Sequence, residues 1–322
     1  VYNSGGGLGD SIQLFDIINS IAKKFGDESI YYLSAHENHF DNKLKDYHIK
    51  IQNLNTNIKY FGFRLWHYFS TKNILKENSI SKFDLIIDLQ SKLRNTIILR
   101  RFSHGNFYSP TMNFRFCNIK MDYKKSTYDH KNLIINLEKL LNFKIPFEKY
   151  DINKIDKLYF DEAKKLLPNN NYIGFSITQG NEYRKKSWPI ENFINIANSL
   201  SNKNKIPVFF IEKNKTELIN KIKNNVTNVL IPEIETKLSG PPLITAMATR
   251  LEKAISIDNG LMHMIGLANK PMIVLFGPTN SKKFAPKVDN IKILDSKEMY
   301  NSDNINKITE IDVSNSIWND AK

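Results

Sequence analysis

The sequence predicts an α/β protein made of two Rossmann-like, doubly wound domains. Three observations predict it. Short apolar runs alternate with amphipathic stretches along most of the 322 residues, the pattern of parallel sheets covered by helices. A polar stretch, "KIPFEKYDINKIDKLYF", carries Pro146 and little periodicity, and it separates two such series. The chain is also long for one core and comfortable for two. This division gives an N-terminal domain over residues 1–150 and a C-terminal domain over 151–322. The linker falls around 145–160, and a last helix from Asn304 to Lys322 is free to pack back on the first domain.

In the first domain "VYNS" ends a strand and "GGGLGD" follows as a loop. "SIQLFDIINSIAKKF" then sets Ile12, Phe15, Ile18, Ala22 and Phe25 at helical spacing. "SIYYLS", "HIKIQ" and "FDLIIDLQ" read as strands, and "TYDHKNLIINLEKLLNF", Thr127 to Phe143, as an amphipathic helix. In the second domain "YIGFSI", "IPVFFI", "VTNVLI", "AISID" and "PMIVLF" are strands. Helical stretches lie between them, one opening on Pro241 and Pro242, where a missing N–H costs little.

Hydrophobic residues make up 41% and charged residues 25%, as in soluble globular proteins. No apolar run approaches bilayer length, and no signal peptide is visible ahead of the strand that opens at Val1. One cysteine, Cys117, excludes an internal disulfide framework and a multi-cysteine metal site. A cytoplasmic location is expected. The net charge of +13 favours anionic partners: nucleic acid, an acidic membrane face or phosphorylated substrates. Abundant Lys, Asn and Ile make part of that charge compositional. The lysines form no long block, and zinc-finger spacing and RNP-like aromatics are absent, so nucleic acid is not the expected partner.

Two domains on one linker leave a cleft, and ligands of such sheets bind beyond the carboxyl ends of strands. The loops there are the candidates. "GGGLGD" fails the dinucleotide fingerprint, because Gly5 and Gly7 fit its start but Asp10 replaces the last glycine. Asp10 is then either an N-cap or a base beside a close backbone approach. "ITQGNEYRKKSWPIENF" carries Arg184, Lys185 and Lys186 after a strand. These form either a solvated basic loop anchored by Trp188 or a cation for a diphosphate. In "SIDNGLMHMIGLANKPMIVLFGPT", Asp258 precedes a helix opening on Gly260 and Leu261, whose free N–H groups and partial charge suit phosphate. Asn259 suits the turn, His263 is either core or ligand contact, and Gly277-Pro278-Thr279 adds a loop on the same edge. In "FDLIIDLQSKLRN", Asp84 and Asp88 end an apolar strand too far apart to pair. Gln90, Lys92 and Arg94 follow it as capping charges or as a face toward the cleft.

Together these segments resemble the heptosyltransferases, family 9 glycosyltransferases of the GT-B fold. "GGGLGDSIQLFDIINSI" resembles the family's opening loop and helix, "FDLIIDLQSKLRN" its "fDlvIDlQg" strand, and "KKSWPIENFINIANSL" its "K-x-WP" segment. "IDNGLMHMIGLANKPMIVLFGPTN" is similar to its "D-T-G-x-x-H…GPT" signature. The resemblance spans both domains and implies an inverting, metal-independent transfer of heptose from ADP-heptose to a lipopolysaccharide inner-core acceptor. It assigns Asp10 as general base and Lys186 as the diphosphate contact. Asp258, Asn259, Gly260, Leu261 and His263 become donor positions, with Asn259 in place of the usual Thr. Thr178 supplies a hydroxyl near the phosphates, and Glu217 holds the ribose, with Glu212 as rival. Gly9 and Arg94 fall on the acceptor side. The implied partners are a nucleotide sugar and an anionic glycolipid, met by a monomer peripheral to the inner membrane face, where Arg94, Arg100 and Arg101 form a basic acceptor face. The alternatives are a GT-B transferase using another nucleotide sugar, a nucleic-acid-binding protein on a Rossmann-like scaffold, and a non-catalytic relative. Retention of Asp10 and Lys186 speaks against the last.

Overall fold

In the computed structural model the chain divides into two units, Val1–Asp151 and Ile152–Lys322. Residues 1–3, 7–26, 29–34, 38–125, 130–180 and 182–318 are described. Gly5 of the glycine loop and the first residues of the expected Thr127–Phe143 helix lie outside them.

The first unit holds β1 (Tyr2–Asn3), β2 (Tyr31–Ser34) and β3 (Gln52–Asn53) as one parallel set. A second parallel pair is formed by β4 (Phe83–Ile87) and β5 (His104–Tyr108). A parallel bridge from Tyr2 to Asp88 joins the two sets. The strand order is therefore β3-β2-β1-β4-β5, and the winding reverses between β1 and β4. The helices are α1 (Leu8–Ile12), α2 (Phe15–Phe25), α3 (His67–Glu77), α4 (Leu93–Leu99), the short α5 (Thr111–Phe114) and α6 (His130–Leu141). Tyr2, Phe61, Ile86, Ile98, Phe102 and Phe107 anchor one core cluster. An apolar cavity of about 530 Å³ lies among Tyr31, Phe83, Leu85, Leu99 and their neighbours, and no candidate site residue lines it.

The second unit has one five-stranded parallel sheet: β6 (Tyr172–Ser176), β7 (Ile206–Phe210), β8 (Leu251–Ile257), β9 (Met272–Phe276) and β10 (Ile291–Asp295), in the order β10-β9-β8-β6-β7. The winding reverses between β6 and β8. Both faces of β6 and β9 are buried, which explains why their sequences read as continuous apolar runs rather than alternating ones. The helices are α7 (Lys157–Leu166), α8 (Ile190–Ser201), α9 (Thr216–Asn225), α10 (Pro241–Ala248), α11 (Gly260–Leu267), α12 (Ser281–Phe284), α13 (Ser296–Tyr300) and α14 (Glu310–Trp318). Phe175, Trp188, Phe193, Phe209, Ile257 and Leu275 centre this core. The last helix, α14, packs on α8, β9 and β10 of its own unit.

Several elements differ from the sequence expectation. The single helix expected from Ser11 to Phe25 is broken between α1 and α2, where Leu14 N–H bonds back three residues to Ser11 O in a tightened turn. "HIKIQ" contributes only its last residue to β3. "VTNVLI" is not a strand: Asn228 takes φ +54, and pairing is confined to a bridge between Leu230 and Val208. β5 was hidden because "HGNFY" reads as polar. Its Gly105 runs so close to β4 that a Cβ there would stand 2.8 Å from Asp84 O.

Candidate active site

In sheets wound this way, ligands gather where the strand order reverses, beyond the carboxyl ends of the strands. In the second unit that point is between β6 and β8. The chain leaving β6 carries Thr178 and Gln179, and the chain leaving β8 carries Asp258 and Asn259. The two loops are tied together. Asn259 Nδ2 donates to Ser176 Oγ and to Thr178 O, both at 2.8 Å. Its Oδ1 accepts Met262 N–H at 2.9 Å, so Asn259 is the N-cap of α11. The Asn at this position is thereby committed to capping and to a cross-strand tie. The N–H groups of Gly260 and Leu261 have no acceptor within the helix, and the space beside Gly260 is open.

Lys186 is turned into this corner. Lys185 takes φ +49, and Lys186 N–H donates to Gln179 Oε1 at 2.9 Å. Trp188 fixes the loop from the other side: it is buried, donates Nε1–H to Ile308 O at 2.9 Å, and packs edge-on against Phe193. The basic run therefore splits. Arg184 and Lys185 are exposed, whereas Lys186 is 9% exposed and pairs with Asp258 Oδ2. Thr279, after β9, donates its hydroxyl to the same Asp258 oxygen at 2.5 Å. A buried ion pair is costly unless its remaining valences are met, and here the threonine hydroxyl meets one of them. Burial pushes the His263 imidazole down to about 4; the Lys186 charge adds to this and Asp258 opposes it. His263 is thus neutral at pH 7 and lies one turn into α11.

The reversal in the first unit lies between β1 and β4. Leu89 N–H bonds to Tyr2 O at 3.1 Å, and Gln90 Nε2 donates to Asn3 Oδ1 at 3.0 Å. Asp10 stands in the first turn of α1, where Gly7 is the N-cap, so Asp10 is the third helical residue rather than the cap itself. Its Oδ2 accepts Gly7 N–H at 3.3 Å, as in a capping box. Gly9 is buried in the same turn. Arg94, on α4, donates Nε–H to Gly62 O at 3.1 Å and lies over the Phe63 ring.

Asp88 follows β4 and is fully buried. It accepts the Thr96 hydroxyl at 2.7 Å, the Ser109 hydroxyl at 2.8 Å and Gln90 N–H at 2.9 Å. Burial outweighs these bonds and pushes its carboxyl up to about 6.

Glu217 is exposed in the first turn of α9, and Glu212 is exposed after β7. A third acid was missed in the sequence. Glu233 follows the Leu230 bridge at the β7 edge, and its Oε2 is buried with no hydrogen-bond partner. Burial, and secondarily the Glu212 charge, push it up to about 7, while the Ile211 N–H and Lys213 pull the other way. Nothing in "IPEIETK" signals this, because burial comes from the fold of the edge. Among the described residues no group of three or more His, Cys, Asp or Glu is arranged to hold a metal ion.

Residues 72–312 match glycosyltransferase family 9 (heptosyltransferase). The match includes Arg94, Lys186 and the α11 start, and excludes Asp10. No curated protein sequence matches the chain. Among solved structures, the chain is similar to a family 9 glycosyl transferase from Veillonella parvula, with 18% identity, 98% of this chain and 94% of that one covered, and a TM-score of 0.69. It is similar to the E. coli heptosyltransferase WaaC with ADP, with 15% identity, coverage of 98% and 95%, and a TM-score of 0.66. It is also similar to E. coli ADP-heptose lps heptosyltransferase II, with 13% identity, coverage of 98% and 96%, and a TM-score of 0.63. At such identities the likeness is one of fold.

Proposed function

The chain belongs to glycosyltransferase family 9, the heptosyltransferases, and is a glycosyltransferase of the GT-B fold; from that premise we propose that it moves a heptose from ADP-heptose to a lipopolysaccharide inner-core acceptor with inversion. The observation that carries this reading is the buried Lys186–Asp258–Thr279 cluster beside the open start of α11. A departing nucleoside diphosphate develops negative charge. A preset ammonium and two helix N–H groups meet that charge without reorganising during the reaction. Asp258 holds Lys186 and Thr279 in place, and neutral His263 adds a hydrogen bond without adding charge. This supplies the leaving-group stabilisation that a metal would otherwise give, so the proposed transfer is metal-independent.

Asp10 of the first unit acts as general base and takes the acceptor hydroxyl proton. Gly9 and Arg94 lie on the acceptor side. Thr178 lines the phosphates. For the nucleoside end, the buried and unpartnered Glu233 oxygen favours the Glu212–Glu233 pair over exposed Glu217: one protonated carboxyl and one carboxylate can donate to and accept from two neighbouring hydroxyls. The structural relatives support the donor class, since E. coli WaaC is seen with ADP and with ADP-2-deoxy-2-fluoro heptose. The acceptor class predicts a protein that works at a membrane face from the cytoplasm. No helix among the described residues is long and apolar enough to cross a membrane.

The test is transfer from ADP-heptose to a defined inner-core acceptor, wild type beside Asp10→Ala. The expected result is EDTA-resistant transfer by the wild type and a loss of at least about 10²-fold in the variant. Full activity of Asp10→Ala removes it from the base role. Transfer from a UDP- or GDP-sugar in place of ADP-heptose overturns the donor assignment.

A further inference from the structure

Among the described residues of the first unit, the three most exposed large apolar side chains lie in one short segment. Tyr60, Leu65, Trp66 and Phe69 lie within ten residues, and Leu65, Trp66 and Phe69 are 67%, 53% and 80% exposed. The segment is nevertheless firmly anchored. Phe61 is fully buried, and the His67 ring stacks on it. Gly62 N–H donates to His67 Nδ1 at 2.9 Å, Tyr2 OH donates to Phe61 O at 3.0 Å, and Arg94 donates to Gly62 O. Gly62 takes φ +91, and a Cβ there would stand 2.4 Å from the Tyr2 hydroxyl. This backbone is fixed by the core, and it holds the large apolar side chains in water. Soluble surfaces seldom leave such a group uncovered.

The surroundings are cationic. Lys92 and Arg94 lie over the Phe63 ring, and Arg101 over the Tyr68 ring. Arg64 precedes Leu65, and Lys72 and Lys76 continue the outward stripe of α3 below Phe69. No Asp or Glu occurs between Asp46 and Glu77, nor between Asp88 and Asp122. Aromatic and leucine side chains ringed by Lys and Arg, with acids excluded, match the chemistry of an anionic lipid interface. A second copy of the chain would bring like charges together, so self-association is disfavoured.

We propose that the Tyr60–Phe69 segment is a membrane-docking wedge that sets Leu65, Trp66 and Phe69 into the headgroup–acyl boundary of an anionic bilayer, with Arg64, Lys72, Lys92 and Arg101 on its phosphates. The wedge deepens the glycolipid-acceptor reading by naming the surface that meets the lipid, and it stands independently of the donor assignment. Salt screens the cations but not the apolar contacts, so the two contributions separate.

The experiment is co-sedimentation with vesicles of phosphatidylglycerol and phosphatidylethanolamine, beside vesicles of phosphatidylcholine alone. Wild type is expected to bind the anionic vesicles, with a fraction surviving high salt, and its Trp66 emission is expected to shift to the blue. Trp66→Phe is expected to lose that shift, because Trp188 is buried and Trp318 lies under Lys203. The Leu65→Ser/Trp66→Ser/Phe69→Ser variant is expected to lose vesicle binding by about tenfold or more while keeping wild-type melting and ADP-induced stabilisation. Phe69→Ser alone gives an intermediate loss and covers the case in which the triple variant does not fold. Undiminished binding by the serine variants, equal binding to both vesicle types, or a preference for single-stranded RNA over anionic vesicles overturns the wedge. Failure of ADP to stabilise wild type sinks the donor assignment and leaves the wedge to be decided by the vesicle result.

Discussion

Asp88 and Asp258 hold the same place in the two units: each follows a strand at the point where its sheet reverses winding. Their neighbours differ. Asp88 is satisfied by two hydroxyls and one N–H, with no cation, and burial raises its carboxyl to about 6. Asp258 is satisfied by an ammonium and a hydroxyl. The first arrangement binds β4, α4 and the loop after β5 to one another and leaves no charge to offer a ligand. The second keeps a lysine buried beside the start of α11, where the proposed reading has it meet an anion. One residue type at one topological position therefore becomes scaffold or site according to whether a cation reaches it, and Lys186 reaches Asp258 through the left-handed turn at Lys185 and the Trp188 anchor.

The contrast breaks most visibly at Lys186. Lys186→Ala is expected to lower transfer by about 10²–10³-fold, and also to destabilise the protein by roughly 3–5 kcal/mol, because Asp258 is left buried and unpaired. Lys186→Ala/Asp258→Asn is expected to recover much of the melting temperature without recovering transfer. Recovery of both, measured by calorimetry and activity, makes the pair structural and erases the difference from Asp88.

At Asp88 the effect is expected on stability and not on donor binding. Asp88→Asn disturbs its hydroxyl partners at a cost of about 1–3 kcal/mol. The folded protein holds the Asp88 proton between 3.8 and about 6, so the stability this carboxyl contributes is present below 3.8 and is lost as pH rises through 6. The cost of Asp88→Asn is therefore largest near pH 4 and shrinks toward pH 8. His263 has the opposite sign. Its folded value of about 4 lies below the usual 6.5, so its contribution is present above 6.5 and is lost as pH falls through that window toward 4. Removing Asp88 should leave a steeper loss of stability on acidification. Urea melts of wild type and variant at pH 4, 6 and 8 check both signs.

The smallest effects concern the acids near β7. Glu233→Gln is expected to weaken ADP binding severalfold and to remove a weakening that wild type shows as pH rises above about 7 and Glu233 ionises, whereas Glu217→Gln changes binding by less than about twofold, as an exposed carboxylate should. The reverse order restores Glu217 as the nucleoside contact.

Much of this was legible in the sequence where one fact carried the information. The apolar runs of β6, β7 and β9 gave the second sheet, and the Asp-Asn-Gly turn gave the start of α11. What needed the third dimension was choice among like residues. Arg184, Lys185 and Lys186 look alike in the sequence, and resemblance alone singled out Lys186; only a positive φ at Lys185 explains why it is the one that turns inward. Asp10 can be read from the sequence as an N-cap or a base, but the cap of α1 lies three residues earlier, at Gly7. The Glu233 carboxyl and the outward aromatics at Leu65–Phe69 depend on burial and exposure, which no local pattern encodes when neighbours such as Phe61 and His67 are equally apolar or aromatic.

The central claim is that the reversal point of the second sheet binds the donor diphosphate through Lys186. The most direct measurement is calorimetric titration of ADP into wild type and into Lys186→Ala/Asp258→Asn, with folding checked by melting. The predicted result is binding by wild type and a loss of about tenfold or more in the folded double variant, the scale of one charge-assisted contact. Equal affinity in the two proteins contradicts the claim.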